Sequence, residues 1–253
     1  MTPLLDCLGI DARTRVIALV GGGGKTSLMY ALAREMVCRG GLVVTTTTTK
    51  IFPPGPEESP HLLLREEDPS LASLPELLAT FSHVTVADGR DSATGKLRGV
   101  TEDDIATCTN AAQWVVVEAD GAAGHPVKAP AQWEPVIPAR TDLVIVLIGL
   151  DCLGKPVGED AVFRLPQFCE ATGLVSGDKI TPEALARLVN HKNGGLKGVS
   201  STTRVVPFLN KMDLVPIDLA EETAHAILRV SEGRISLVAA GMLKPVVKVT
   251  TFS

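Results

Sequence analysis

Two hydrophobic patterns divide the chain. Short, unbroken apolar runs recur along it, and between them lie longer stretches with apolar residues three or four apart. Val16 to Val20, Leu42 to Thr46, Trp114 to Ala119 ("WVVVEA") and Leu143 to Ile148 ("LVIVLI") are of the first kind. Runs of this length without alternation predict strands buried on both faces, as in parallel sheets. Arg204 to Leu209 and Ile235 to Val238 read as two more. Lys25 to Cys38 is of the second kind. Leu28, Ala31, Leu32 and Met36 fall at helical spacing, and Gly40-Gly41 stops the helix. Further helices are predicted at 71–80, about 160–172, 182–191 and about 218–231. Thr181 is placed to cap the 182–191 helix, with Pro182 first in it and Gly194 past its end.

Strands alternating with helices predict an α/β fold. Its sheet is mostly parallel, with helices on both faces, in three layers. No linker divides the chain, so residues 1–253 are expected to form a single domain. Patterning is weakest over 51–110. There, "HVTVADGRDSATGKLRGV" sets two strand-like pieces around a polar, glycine-containing stretch. It predicts an insertion or an antiparallel edge hairpin.

Composition narrows the class. Hydrophobic residues make up 45% of the chain, enough for one large core. The formal net charge of −5 argues against a nucleic-acid partner, which needs a basic face. A membrane span needs about twenty apolar residues, and no run approaches that length. The start "MTPLLDCLGIDARTR" lacks the charged opening and apolar middle of a secretory signal. A soluble, cytoplasmic protein is expected. Cys7, Cys38, Cys108, Cys152 and Cys169 form no CxxC pair and are odd in number, so reduced thiols are expected. Of these, Cys108 and Cys152 lie in stretches read as loops, although burial in the core is the commoner fate of a cysteine.

The candidate chemistry sits where strands end. "VIALVGGGGKTS" runs from a strand through Gly21, Gly22, Gly23 and Gly24 into a helix. Glycines let backbone amides crowd an anion, and the helix N-terminus adds its dipole. Lys25 would neutralise phosphates, Thr26 would hold Mg²⁺, and Ser27 would line the site. The usual pattern has a glycine where Leu19 stands, which predicts a shorter or reshaped loop. "TTTTTK" follows the second strand, and Thr47, Thr48 or Thr49 could offer a hydroxyl there; Thr47 is taken as a metal ligand. "VVVEADGAAGHPVKAP" delivers Glu118 and Asp120, two apart, to complete the metal shell or orient water. His125 and Lys128 follow in the loop as further contacts, His125 reading more as a surface residue. "GLDCLG", from Gly149, is a further loop that could hold a second substrate or partner. Arg164 reads as a surface residue.

"FLNKMD" fits the guanine-reading pattern of GTPases. Asp213 would accept from guanine N1–H and N2–H₂, which adenine cannot donate. Lys211 would cover the base and Asn210 would brace the loops. Ala239, Ala240 and Gly241 could offer amides to guanine O6. The residues so read predict GTP or ATP with Mg²⁺ as ligands. Two rivals stay open: a small-molecule kinase or nucleotidyltransferase using ATP or CTP, and a non-catalytic module switched by nucleotide.

"GGGGKTS", "TTTTTK", "VVVEADGAAGHPVKAP", "VIVLIGLDCLGKPV" and "FLNKMD" occur in that order. Together they resemble the selenium-dependent hydroxylase accessory proteins, the YqeC-type family, from about residue 10 to the end. The resemblance implies a P-loop nucleotide-binding fold. It also implies a role in maturing molybdenum hydroxylases that carry labile selenium, with such an enzyme or a cofactor-maturation protein as partner.

Overall fold

The computed structural model describes residues 3–253. In chain order the elements are α1 (Leu4–Cys7), β1 (Val16–Gly21), α2 (Lys25–Cys38), β2 (Val43–Thr47), β3 (Leu62–Leu64), α3 (Leu74–Phe81) and β4 (His83–Ala87). Then come β5 (Gly89–Arg90), β6 (Leu97–Arg98), α4 (Glu102–Ala111), β7 (Trp114–Glu118), β8 (Val127–Lys128), β9 (Leu143–Gly149) and β10 (Val162–Phe163). The last are α5 (Leu165–Thr172), α6 (Pro182–Asn190), β11 (Arg204–Asn210), α7 (Ile217–Val230), β12 (Val238–Met242) and β13 (Lys248–Phe252).

Nine strands form one sheet in the order β13-β12-β11-β9-β1-β7-β2-β4-β3. Every pairing is parallel except β12 with β13. The unbroken apolar runs exist because both faces are covered. Val16, Ala18 and Val20 of β1 point to one face, where α3 to α7 pack. Ile17 and Leu19 point to the other, against α1 and α2. Leu143, Ile145 and Leu147 of β9 divide from Val144, Val146 and Ile148 in the same way. Full burial of side chains of this size is worth about 1.5–3 kcal/mol each.

Several boundaries differ from the sequence reading. "HVTV" is not one arm of a hairpin: β4 is a parallel strand between β2 and β3. Segment 51–110 thus supplies two strands to the main sheet, and its antiparallel hairpin is only β5 with β6. The last parallel strand starts at Val238 and not at Ile235. Helix α6 has the cap expected, with Thr181 Oγ1 accepting from Ala184 N at 3.2 Å. Its end differs. His191 is already extended, and Gly195 N–H folds back onto Leu188 O at 2.9 Å.

The threonine run has a packing role over most of its length. Thr45 Oγ1 lies 2.9 Å from His83 Nε2 and 2.8 Å from Thr85 Oγ1, deep between β2 and β4. Burial pushes the His83 imidazole down to about 4. The unfolded chain protonates near pH 6.5 and the folded one near 4, so stability holds above 6.5 and falls as pH drops between the two. Urea unfolding from pH 7 to 4 is expected to show up to about 3 kcal/mol of this loss. His83→Gln is expected to flatten it, and an unchanged slope would show that other groups carry it.

Candidate functional site

The carboxyl ends of β1, β2, β7, β9 and β11 lie on one edge of the sheet, where ligands bind in open α/β folds. An open cleft of about 1120 Å³ runs along it. The loop between β1 and α2 forms its floor. Leu19 is fully buried inside β1, paired with Ile145 and Glu118, so the strand continues to Gly21 and the loop proper is only Gly22 to Gly24. Gly21, Gly23 and Gly24 have φ of 94°, 82° and 126°, a region that side chains disfavour. A Cβ on Gly23 would come within 2.2 Å of Gly149 N. The loop is therefore pressed against the end of β9. Gly22 N–H donates to Leu147 O at 3.0 Å and Gly23 N–H to His125 O at 2.9 Å.

The next four amides have no such partner. Helix α2 carries no side-chain cap, and among the described residues no hydrogen bond closes on the N–H groups of Gly24, Lys25, Thr26 and Ser27. All four residues line the cleft. This is an uncapped helix start with its dipole facing an opening, the arrangement that holds an anion.

Around it the sequence candidates converge. Lys25 is buried; its Nζ donates to Gly21 O at 2.6 Å and lies 3.2 Å from Asp120 Oδ1 and 3.8 Å from Glu118 Oε1. Thr26 Oγ1 donates to Glu118 Oε2 at 2.7 Å. Burial pushes the Glu118 carboxyl above its ordinary value, against the pull of Lys25 and Thr26. Glu118 lines the cleft, whereas Asp120 lies behind it. Asp120 accepts from Gly21 N at 3.1 Å, pairs with Lys128 at 3.2 Å, and borders a void of about 20 Å³ beneath the loop. The structure thus separates two acids that sequence left equivalent. A hydroxyl and a carboxylate side by side at the cleft fit a Mg²⁺ ion that keeps its other ligands from phosphate and water. Among the described residues no cluster of three or more His, Cys, Asp or Glu could hold a metal.

Thr47 is not brought to the cleft. Its hydroxyl donates to Glu118 O at 2.8 Å and accepts from Thr49 N–H at 3.0 Å. Thr48 Oγ1 donates to Val136 O at 2.7 Å, and Thr49 is the threonine that lines the opening, followed by Lys50.

At the other end of the cleft, Asn210 closes β11 and its Nδ2 donates to Gly23 O at 2.8 Å, tying that strand to the glycine loop. Lys211 adopts φ of 63° and pairs with Asp151 Oδ2 at 2.9 Å. Asp213 lines the cleft from an exposed turn, beside Leu214. Ala239, Ala240 and Gly241 lie within the ladder between β11 and β13. The residues that reach the cleft from that strand are Met242, Leu243 and Lys244.

Neither Cys108 nor Cys152 is an open loop thiol. Cys108 lies in helix α4 and not in a loop, and Cys152 is buried after β9. Burial pushes both up to about 12, so neither offers a thiolate near neutrality.

The site also includes residues that sequence undervalued. The Lys128 side chain is fully buried and donates to Gly121 O at 2.6 Å and to Glu134 Oε2 at 2.8 Å. Burial pushes Glu134 up, but the hydrogen bond and charge of Lys128 outweigh it and hold the carboxyl below its usual range. Glu134 Oε1 in turn lies 3.7 Å from Arg164 Nη2, and both residues line the cleft. No periodicity flags Glu134 or Arg164, because both sit in loops that only the tertiary fold brings together. His125 also lines the cleft, its two ring nitrogens 3.0 Å from Ala122 O and 2.8 Å from Glu159 O.

A family model described as "YqeC protein" matches residues 17–166, which include the glycine loop and both acids. "Uncharacterized protein YqeC" of Escherichia coli (strain K12) is 35% identical over 209 residues, 81% of this chain and 78% of that protein. No described helix is long and apolar enough to cross a membrane.

Proposed function

The chain belongs to the YqeC protein family, and we propose that it is a Mg²⁺-dependent P-loop nucleoside triphosphatase that prefers GTP. The observation that carries this reading is the convergence of four unpartnered amides at the start of α2, the buried Lys25, and the Thr26–Glu118 contact of 2.7 Å. Terminal phosphates would lie against residues 24–27, with the Lys25 ammonium between their oxygens. Thr26 and Glu118 would hold Mg²⁺, which supplies charge neutralisation at the β- and γ-phosphates. Asp120 keeps Lys25 and the Gly21 amide in place. Water attacks the γ-phosphorus, its bond to the bridging oxygen breaks, and GDP, phosphate and a proton leave.

Guanine preference rests on Asp213, whose carboxylate makes no ion pair among the described residues and faces an opening also lined by Leu214 and Leu243. The role in maturing selenium-dependent molybdenum hydroxylases follows the family resemblance, with such an enzyme or a cofactor-maturation protein as partner. A second reading, transfer from the nucleotide to a small acceptor, is favoured by the cleft's continuing past the phosphate loop to Lys50, Phe52 and Lys96. Product analysis separates the two: free phosphate alone means hydrolysis, and a modified acceptor means transfer.

Thermal-shift titration with GTP, ATP and CTP, each with and without Mg²⁺, tests the site. GTP with Mg²⁺ at about 100 times its Kd is expected to add about 2.7 kcal/mol of apparent stability. Asp213→Asn is expected to remove roughly 1–3 kcal/mol of discrimination between GTP and ATP. Equal stabilisation by ATP in the unmodified chain would end the base-reading assignment. No shift with any triphosphate would end the nucleotide reading.

A further inference from the structure

The cleft is larger than a nucleotide site needs. At about 1120 Å³ it exceeds the usual 300–1000 Å³ of small-molecule pockets. The strand order sets its polarity. Asn210 and Asp213 stand at the β11 end, the phosphate loop lies over β1, and the cleft continues beyond β7 to residues following β2. Lys50, Phe52 and Lys96 line that far part, and Phe163 and Arg164 line the cleft from β10 and the start of α5, beside Glu134. The loop carrying Glu134 is fixed there too, since Val136 N–H donates to Ala119 O and Val136 O accepts from Thr48 Oγ1.

The far half is cationic in an acidic chain. Net charge over the sequence is −5, yet six residues lining the cleft are cationic and three are carboxylates. Glu134 is the carboxylate of the far half, and Lys128 already holds it. Lys50 is paired with Asp91. Lys96 has no carboxylate partner among the described residues; its Nζ lies 4.6 Å from the Phe52 ring centre.

Arg164 is the most telling group. Its guanidinium lies 4.8 Å from the Phe163 ring centre and 5.3 Å from that of Trp133. Such stacking fixes the fork and leaves its N–H edge for hydrogen bonding. Nε is buried without a hydrogen-bond partner, and Nη2 stands 3.7 Å from Glu134 Oε1, beyond hydrogen-bond distance. A planar donor fork held this way with an unmet N–H matches an oxyanion. The backbone supports the placement at a cost, since Arg164 has φ of 68°, uncommon outside glycine.

We propose that the far half of the cleft is a subsite for a second small molecule bearing a phosphate or carboxylate, held by Arg164 and Lys96. It deepens the nucleotide reading, because the second ligand would lie beyond the triphosphate's terminal end. It depends on that reading only for its neighbour.

Calorimetric titration of inorganic phosphate and of malonate tests the subsite. The full chain is first saturated with a non-hydrolysable GTP analogue and Mg²⁺, so that the phosphate loop is filled. Saturable binding of one probe is expected; phosphate points to a phosphorylated ligand and malonate to a carboxylate. Arg164→Gln is expected to weaken it by about tenfold or more, the loss of a charge-assisted hydrogen bond, and to leave analogue binding unchanged. Lys96→Gln is expected to weaken it in the same direction. No saturable binding of either probe, or equal binding by Arg164→Gln, overturns the proposal. If the chain binds no nucleotide, the same titrations run without the analogue on the unmodified chain, Lys25→Met and Arg164→Gln. A subsite at Arg164 survives Lys25→Met and is lost with Arg164→Gln. The opposite pattern assigns the anion to the phosphate loop and overturns the subsite.

Discussion

Lys25→Met is expected to lower nucleotide turnover by at least about 10²–10³-fold, the usual loss when one electrostatic contact to the reacting group is removed. The same change should weaken GTP binding. It should also destabilise the chain before any nucleotide is added. Lys25 is only 4% exposed, and it is the shared countercharge of two buried acids, 3.2 Å from Asp120 and 3.8 Å from Glu118. Taking one partner from a buried ion pair costs about 3–5 kcal/mol. The lower end is expected here, because Lys128 stays beside Asp120 at 3.2 Å. The double variant Lys25→Met/Asp120→Asn separates the two roles. It removes a carboxylate together with the lost ammonium, so much of the stability should return. Turnover should not. Urea unfolding and phosphate release on the three proteins give the answer. A double variant that hydrolyses GTP at the original rate would reduce Lys25 to a structural cation.

The parts of the site that sequence shows are those made locally. A strand, a glycine loop and a helix follow one another within 23 residues, Val16–Cys38, and α2 starts and ends at the expected residues. Glu118 is visible because it ends an apolar run, and Asn210 for the same reason. Thr47 shows where this stops working. Alternate residues of a strand face opposite sides, so everything turns on where β2 leaves the sheet. It leaves at Thr47, one residue later than the apolar pattern suggests, and the first threonine at the cleft is Thr49. The "RISLVAAG" stretch is apolar at Ile235 and again from Leu237 to Ala240, and pairing with β13 accompanies a strand set at Val238–Met242. Local pattern contains no information on that partner. Glu134 and Arg164 are the extreme case: they come from different loops and meet through Lys128, whose burial is itself a tertiary result.

Lys128→Met is the substitution expected to cost the fold most, about 3–5 kcal/mol at neutral pH. The lysine side chain is fully buried, and its ammonium has three donors and three partners: Gly121 O at 2.6 Å, Glu134 Oε2 at 2.8 Å and Asp120 Oδ2 at 3.2 Å. Methionine fills similar space but meets none of them. The loss has a pH signature. Glu134 is held below its ordinary range by Lys128, so its contribution is present above the unfolded value of about 4.3 and lost as pH falls through the folded one. The original chain should therefore lose stability below pH ~4.3 more steeply than Lys128→Met does. Adding Glu134→Gln to Lys128→Met removes one stranded charge and should recover part of the loss. Urea unfolding at pH 7 and across the acid range checks each step, and a cost under about 1 kcal/mol would place this network with solvent-screened pairs. The outcome also bears on the cleft. Lys25, Asp120, Lys128, Glu134 and Arg164 alternate in charge without a break from the glycine loop to the start of α5. Its central member fixes the acid behind the glycine loop and the acid beside Arg164, so Lys128→Met should impair GTP binding and second-anion binding together.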